Sequence, residues 1–132
     1  MRRAKILVID DEKLILKGFQ RELESAGYYV KGFASGKEAV EHFRKEPFDI
    51  IYVDLVMPEM NGVDICKEIK EISPKTELVL ISGHPEEVFR FQTAFWHAGG
   101  RDEILRKPLL ENELLDVTLK IEKELQVSGS LS

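Results

Sequence analysis

The sequence predicts an α/β domain in which five parallel strands form one sheet covered by helices on both faces. Three observations predict it. Short apolar runs alternate with helical patterns five times along the 132 residues. The runs Ile6-Leu7-Val8-Ile9, Ile50-Ile51-Tyr52-Val53 and Leu78-Val79-Leu80-Ile81 lack in-out alternation, as strands buried on both faces do. Finally, the residues fit for chemistry stand directly after these runs. Alternation of this kind implies right-handed crossovers and a three-layer sandwich.

Each element has its own signal. After the first strand, Ile15, Phe19, Leu23 and Ala26 recur at helical spacing, and Gly27 is placed to end the helix. Tyr28-Tyr29-Val30 is the candidate second strand. Ser35 followed by Glu38 has capping-box spacing and opens a second helix carrying Ala39, Val40 and Phe43, which Pro47 stops. A third helix starts near Asn61, a good N-cap, and shows Ile65, Ile69 and Ile72 before Ser73-Pro74. The fourth runs from about Pro85 to Ala98 and ends at Gly99-Gly100. Ile104-Leu105 is the weakest strand. The last helix carries Leu114, Val117, Ile121 and Leu125. Residues 1–125 are expected to form one domain, and 126–132, small and polar, a flexible tail or the start of a linker.

Composition narrows the function. The net charge of -5 argues against a nucleic-acid surface, which needs a basic stripe. Arg2, Arg3 and Lys5 read as a solvated N-terminal cluster. A lone cysteine, Cys66, permits no internal disulfide and sits in an apolar helical pattern as a core residue. The apolar run Ile6–Ile9 is too short for a signal peptide or a membrane span, so a cytoplasmic location is expected.

The strand ends carry the chemistry. Asp10-Asp11 follows the first strand, Asp54 the third, Ser82 ends the fourth, and Lys107-Pro108 follows the fifth. In open α/β sheets, ligands bind beyond the carboxyl ends of the strands, at the switch point in strand order. With strand order 2-1-3-4-5, three carboxylates converge there. Like charges at close range raise each other's pKa or demand a cation, and magnesium suits oxygen donors of this kind. Lys107 adds a positive charge and Ser82 a hydroxyl. The set would accept an anion with tetrahedral oxygens, and a carboxylate such as Asp54 is able to attack phosphorus.

These residues, with Met57-Pro58 and Asn61-Gly62, resemble the receiver domain of two-component response regulators over roughly residues 4 to 125. No single piece is specific, but the full set in order is. The resemblance implies a flavodoxin-like (βα)5 fold with sheet order 2-1-3-4-5, an order already known for flavodoxin and a chemotaxis receiver. It implies that Asp54 is the phosphoacceptor and Asp11 the direct magnesium ligand. Asp10 would act through water, and the Val56 backbone carbonyl would also reach the metal. Ser82 and Lys107 would bind phosphoryl oxygens, and the Lys107-Pro108 bond would be cis. The implied donor is the phosphohistidine of a sensor histidine kinase. The implied output is a shifted surface around the fourth helix, fifth strand and fifth helix, acting on a downstream protein or a linked output domain, with homodimerisation on phosphorylation left open. Neither nucleic acid nor membrane is expected to bind directly, and the domain is expected to be a switch, not an enzyme.

Ile104 stands where receivers often carry a Tyr or Phe that turns inward, so an aromatic relay is in doubt. Val56 and His84 occupy positions that tune acyl-phosphate hydrolysis in the family. Val56 has no side-chain hydrogen bond to offer, and His84 either positions water or is inert. Glu12 and Glu59 read as surface carboxylates and Asp102 as a loop acid. The fourth-helix aromatics Phe89, Phe91, Phe95 and Trp96 read either as core and partly covered surface or as a partner-binding patch, with Phe91 or Trp96 the first candidates for the latter. Three rivals remain. A haloacid-dehalogenase-like phosphatase would want an acid placed two residues after its nucleophile, where Val56 stands. A pseudo-receiver would lack an acid or the lysine. A flavin binder would want a Ser/Thr/Gly-rich loop in place of Asp10-Asp11-Glu12-Lys13.

Overall fold

In a computed structural model describing residues 2–131, the chain alternates strand and helix five times. The elements are β1 (Lys5–Ile9), α1 (Lys13–Ser25), β2 (Tyr29–Phe33), α2 (Gly36–Lys45), β3 (Ile50–Asp54), α3 (Gly62–Ile72), β4 (Glu77–Ser82), α4 (Pro85–His97), β5 (Ile104–Arg106) and α5 (Glu113–Val127). All strand pairs are parallel, in the order β2-β1-β3-β4-β5. This is the flavodoxin-like (βα)5 arrangement. Every residue of β3 is buried, as its unbroken apolar run requires of a central strand.

Side chains alternate across the sheet and divide the core in two. Leu7, Ile9, Ile51, Val53, Leu78 and Leu80 pack with Phe43 of α2, Ile65 and Ile69 of α3 and Phe95 of α4. Ile6, Val8, Ile50, Tyr52, Val79 and Ile81 pack with Leu23 of α1 and Ile121 of α5. Cys66 is buried in the first layer, as expected.

Local signals held in part. Ser35 accepts the Glu38 N–H, and the reciprocal capping box forms instead at α3, between Asn61 and Asp64. Strand β2 reaches three residues past Val30. Lys31 and Gly32 interrupt the apolar pattern, but pairing with β1 continues to Ile9 beside Phe33. An edge strand with one open face has no need of a continuous apolar run. Helix α5 passes the expected boundary at 125 and ends at Val127. Gly129, at φ 77°, turns the chain so that Ser130 N–H reaches the Leu125 carbonyl, and Leu131 is buried at 2% exposure. Leu131 therefore packs into the α1/α5 core layer.

The N-terminal basic cluster is paired, not simply solvated. Arg2 grips Asp49 through two hydrogen bonds, Lys5 pairs with Glu46, and Arg3 with Glu122. Glu122 is a buried acid that nothing in its helical pattern singles out. It accepts from the Ala4 N–H at 2.8 Å and the Tyr28 hydroxyl at 2.9 Å. Burial opposes its ionisation, but these donors and Arg3 hold its pKa below the usual range. Glu122→Ala would leave buried donors without partners, and should cost about 1–3 kcal/mol in a urea titration.

The start of α3 lies against the end of β3. A Cβ at Gly62 would stand 3.1 Å from the Asp54 carbonyl oxygen and 3.2 Å from Leu55 Cα. Both are backbone atoms with little room to give. Gly62→Ala should lower stability by roughly 1–3 kcal/mol, and loss of less than half a kcal/mol would show that the helix slides freely.

Candidate phosphoryl and metal site

Register brings the chemistry together. Ile9 pairs with Val53, Asp54 with Ile81, and Ser82 with Arg106, so the residues at these strand ends gather at one edge of the sheet. Asp10 follows β1 and is wholly buried, with its N–H held by the Phe33 carbonyl. Asp54 is the last residue of β3 and 2% exposed. Lys107 follows β5, its N–H bound to the Ser82 carbonyl at 2.9 Å, and the Lys107-Pro108 bond is cis.

The Lys107 ammonium faces three carboxylates. Its Nζ lies 2.7 Å from Asp10 Oδ2, 2.9 Å from Glu12 Oε1 and 3.2 Å from Asp54 Oδ2. Oxygens of Asp10, Glu12 and Asp54 all lie within 4.8 Å of one another. One cation cannot neutralise three anions. The Asp10 Oδ2 is also buried with no aligned hydrogen-bond donor; the lysine contact is an ion pair only. An unsatisfied, buried carboxylate oxygen beside further hard oxygens fits a small divalent cation such as magnesium. This acidic pocket is typical of the magnesium site of receiver domains.

Electrostatics follow from this crowding. Burial, then the Asp10 charge, push the Asp54 carboxyl up to about 6, against the pull of Lys107 and the Val56 N–H. Burial disfavours the Lys107 ammonium, but its three carboxylate neighbours outweigh that and hold its pKa above the usual lysine value. The hydrogen bond from Lys107 holds the Glu12 carboxyl below its ordinary value.

The other expected residues divide. Asp11 and Val56 are exposed and line the same cleft, together with Gly83 and His84. The Asp11 carboxylate is not part of the close acidic group. Ser82 is buried, and its Oγ accepts the His84 N–H at 3.0 Å, leaving the hydroxyl proton free to donate elsewhere. Glu59 is exposed, as expected, and takes a left-handed conformation at φ 67°.

Glu12 corrects the sequence reading. It is no bystander on the surface: it pairs with Lys107 inside the cleft, although 59% of its side chain stays exposed. Its position next to Asp10-Asp11 was the available signal, but an exposed acid at a helix start is common without a role. On α4, Phe95 is fully buried and Phe91 packs partly against the core, while Phe89 is 82% exposed and Trp96 39%. The most open aromatic is thus Phe89, not Phe91. Ile104 packs against the layer that includes Phe95. Among the described residues, no helix is long and apolar enough to cross a membrane.

Comparisons with known proteins bear on this geometry. The family model for the response regulator receiver domain matches residues 6–119. The chemotaxis protein CheY of Thermotoga maritima is 32% identical over 120 residues, covering 90% of this chain and 98% of the relative. The alkaline phosphatase synthesis regulator PhoP of Bacillus subtilis is 30% identical over 83% of this chain, which spans only 45% of that longer protein. Among solved structures, the BeF3-activated DrrB receiver domain superposes with a TM-score of 0.75 at 28% identity, covering 95% of this chain and 99% of that one.

Burial of Asp54 has a consequence for stability. Between pH 3.8 and about 6 the folded protein keeps a proton on Asp54 that the unfolded chain has released. This group's contribution to stability therefore falls as pH rises through that window, and it stays unfavourable at pH 7. Without divalent metal, Asp54→Asn should raise stability at pH 7 by roughly 1–2 kcal/mol, allowing for the weakened Lys107 contact. The gain should vanish near pH 4, as read from urea titrations at both values. A less stable variant at pH 7 would mean that pairing with Lys107 outweighs desolvation.

Proposed function

Because the chain belongs to the response-regulator receiver family, we propose that Asp54 accepts a phosphoryl group from the phosphohistidine of a sensor histidine kinase, with magnesium bound, and that this shifts the surface offered to a partner. Members of this family act as phosphoacceptor switches, not as classical enzymes. One observation carries the reading: Asp54 ends a fully buried strand with its carboxylate against Lys107 and beside the orphaned oxygen of Asp10.

Asp54 needs no base to act. With its pKa at about 6 it is mostly ionised at pH 7. A carboxylate oxygen attacks phosphorus, the donor's P–N bond breaks, and the leaving imidazole takes up a proton. The Lys107 ammonium pairs with an equatorial phosphoryl oxygen, and the Ser82 hydroxyl donates to another. Asp10, Asp11, Asp54 and the Val56 carbonyl would hold magnesium, with Glu12 close by. When bound, the ion neutralises charge on the phosphoryl oxygens and between the acids.

The added charge biases an equilibrium between two arrangements of α4, β5 and α5. With Ile104 in place of an aromatic, that shift would run through repacking of Ile104 and Ser82, not ring rotation. The partner is a separate protein or an output domain joined beyond the receiver unit, and a dimer formed on phosphorylation is one form the output could take. A cytoplasmic setting follows from a soluble kinase domain as donor.

Incubation with acetyl phosphate and magnesium should add about 80 Da to the intact mass, one phosphoryl group. Asp54→Asn should abolish the addition and EDTA suppress it. Undiminished labelling of the Asn variant would refute the role given to Asp54.

A further inference from the structure

We infer that Glu12 is a displaceable counter-ion for Lys107, holding the ammonium where the incoming phosphoryl group must find it and setting how readily the site is phosphorylated. This inference rests on the phosphoacceptor reading of Asp54.

Lys107 donates to Glu12 at 2.9 Å and to Asp54 at 3.2 Å, and its ammonium is in ion contact with Asp10 at 2.7 Å. All three crowd the ammonium, so an incoming phosphoryl oxygen competes with one of them for it. Asp10 is wholly buried and its backbone is pinned to β2, so it has no room to retreat. Its Oδ1 is also occupied by the Glu12 N–H at 2.9 Å. Asp54 is the attacking group itself, fixed at a strand end with Oδ1 on the Val56 N–H at 3.3 Å. Glu12 differs from both. Its side chain is 59% exposed, it stands just ahead of α1, and among the described residues only Lys107 holds its carboxylate. It is the one partner that water is able to take over at little cost. In the waiting state the Glu12 carboxylate thus does what the phosphoryl oxygen does later: it accepts an N–H of Lys107. It also adds negative charge at the mouth through which an anionic donor arrives. Both effects slow phosphorylation, and both end when Glu12 swings away.

Glu12 is accordingly a positioning residue acting through Lys107. The test is the rate of acetyl phosphate labelling at saturating magnesium, in which the donor's P–O bond breaks, the Asp54 oxygen–phosphorus bond forms and acetate leaves. Glu12→Gln should label faster by about two- to fivefold, the range an exposed ion pair supports. Glu12→Asp keeps the charge but is one methylene short of Lys107, and should also label faster than wild type. The magnesium affinity of each unphosphorylated variant, from titration with the metal alone, should stay within about twofold of wild type. A faster Gln variant with an Asp variant at the wild-type rate would show that only the charge matters, overturning the contact. A tenfold loss of magnesium affinity would make Glu12 a metal ligand, and equal or slower labelling by both variants would also sink the inference. Failure of the phosphoacceptor reading looks different: wild type itself would not label, and the role of Glu12 would fall with it.

Discussion

The crowding of negative charge at one end of the sheet is the constraint on which the rest of this structure turns. Asp10 and Asp54 leave two adjacent strands at neighbouring positions, and both are withdrawn from water. Desolvation and mutual repulsion disfavour that arrangement. Lys107, brought by a loop almost a hundred residues from Asp10, offsets it in part, and it must serve three carboxylates at once. The three oxygens lie close enough together to suit a small divalent cation.

A strained site needs a rigid frame, and the fold supplies one. The two apolar layers fix β1, β3 and β4 from both faces, so neither Asp10 nor Asp54 is able to relax by moving its backbone. Helix α3 starts in close contact with the end of β3 at Gly62, locking the loop that follows Asp54. At the opposite end of the sheet, Glu122 ties α5 to the beginning of β1 and to Tyr28. By contrast, the Glu12 side chain and the start of α4 are open to solvent.

The outer face of α5 is held by charge as well as packing. The guanidinium of Arg101, just before β5, reaches Glu103 at 2.8 Å and Glu124 at 3.1 Å, and Lys120 also pairs with Glu103. These contacts keep the Glu103 carboxyl down at about 2, chiefly through Arg101. The network couples the approach to β5 with the far half of α5. A shift of β5 around Ile104 would therefore be felt along that helix.

The sequence by itself determined the order of elements, because fully buried parallel strands must be apolar throughout and helices must be apolar on one stripe. It also pointed to Asp10, Asp54 and Lys107 together, since acids and a lysine directly after such strands have few reasons to be there. What it left undecided depended on distances between segments far apart in the chain. Glu12 read as an ordinary surface acid because its sequence neighbours say nothing of Lys107. Glu122 sits in an amphipathic helix, and only the path of residues 3–4 and 28 shows why it is buried. The run from 128 to 131 has a linker's composition, yet one left-handed glycine turns Leu131 inward. Local patterns report which face of an element is covered; only the tertiary structure decides which charges end up sharing the same small space.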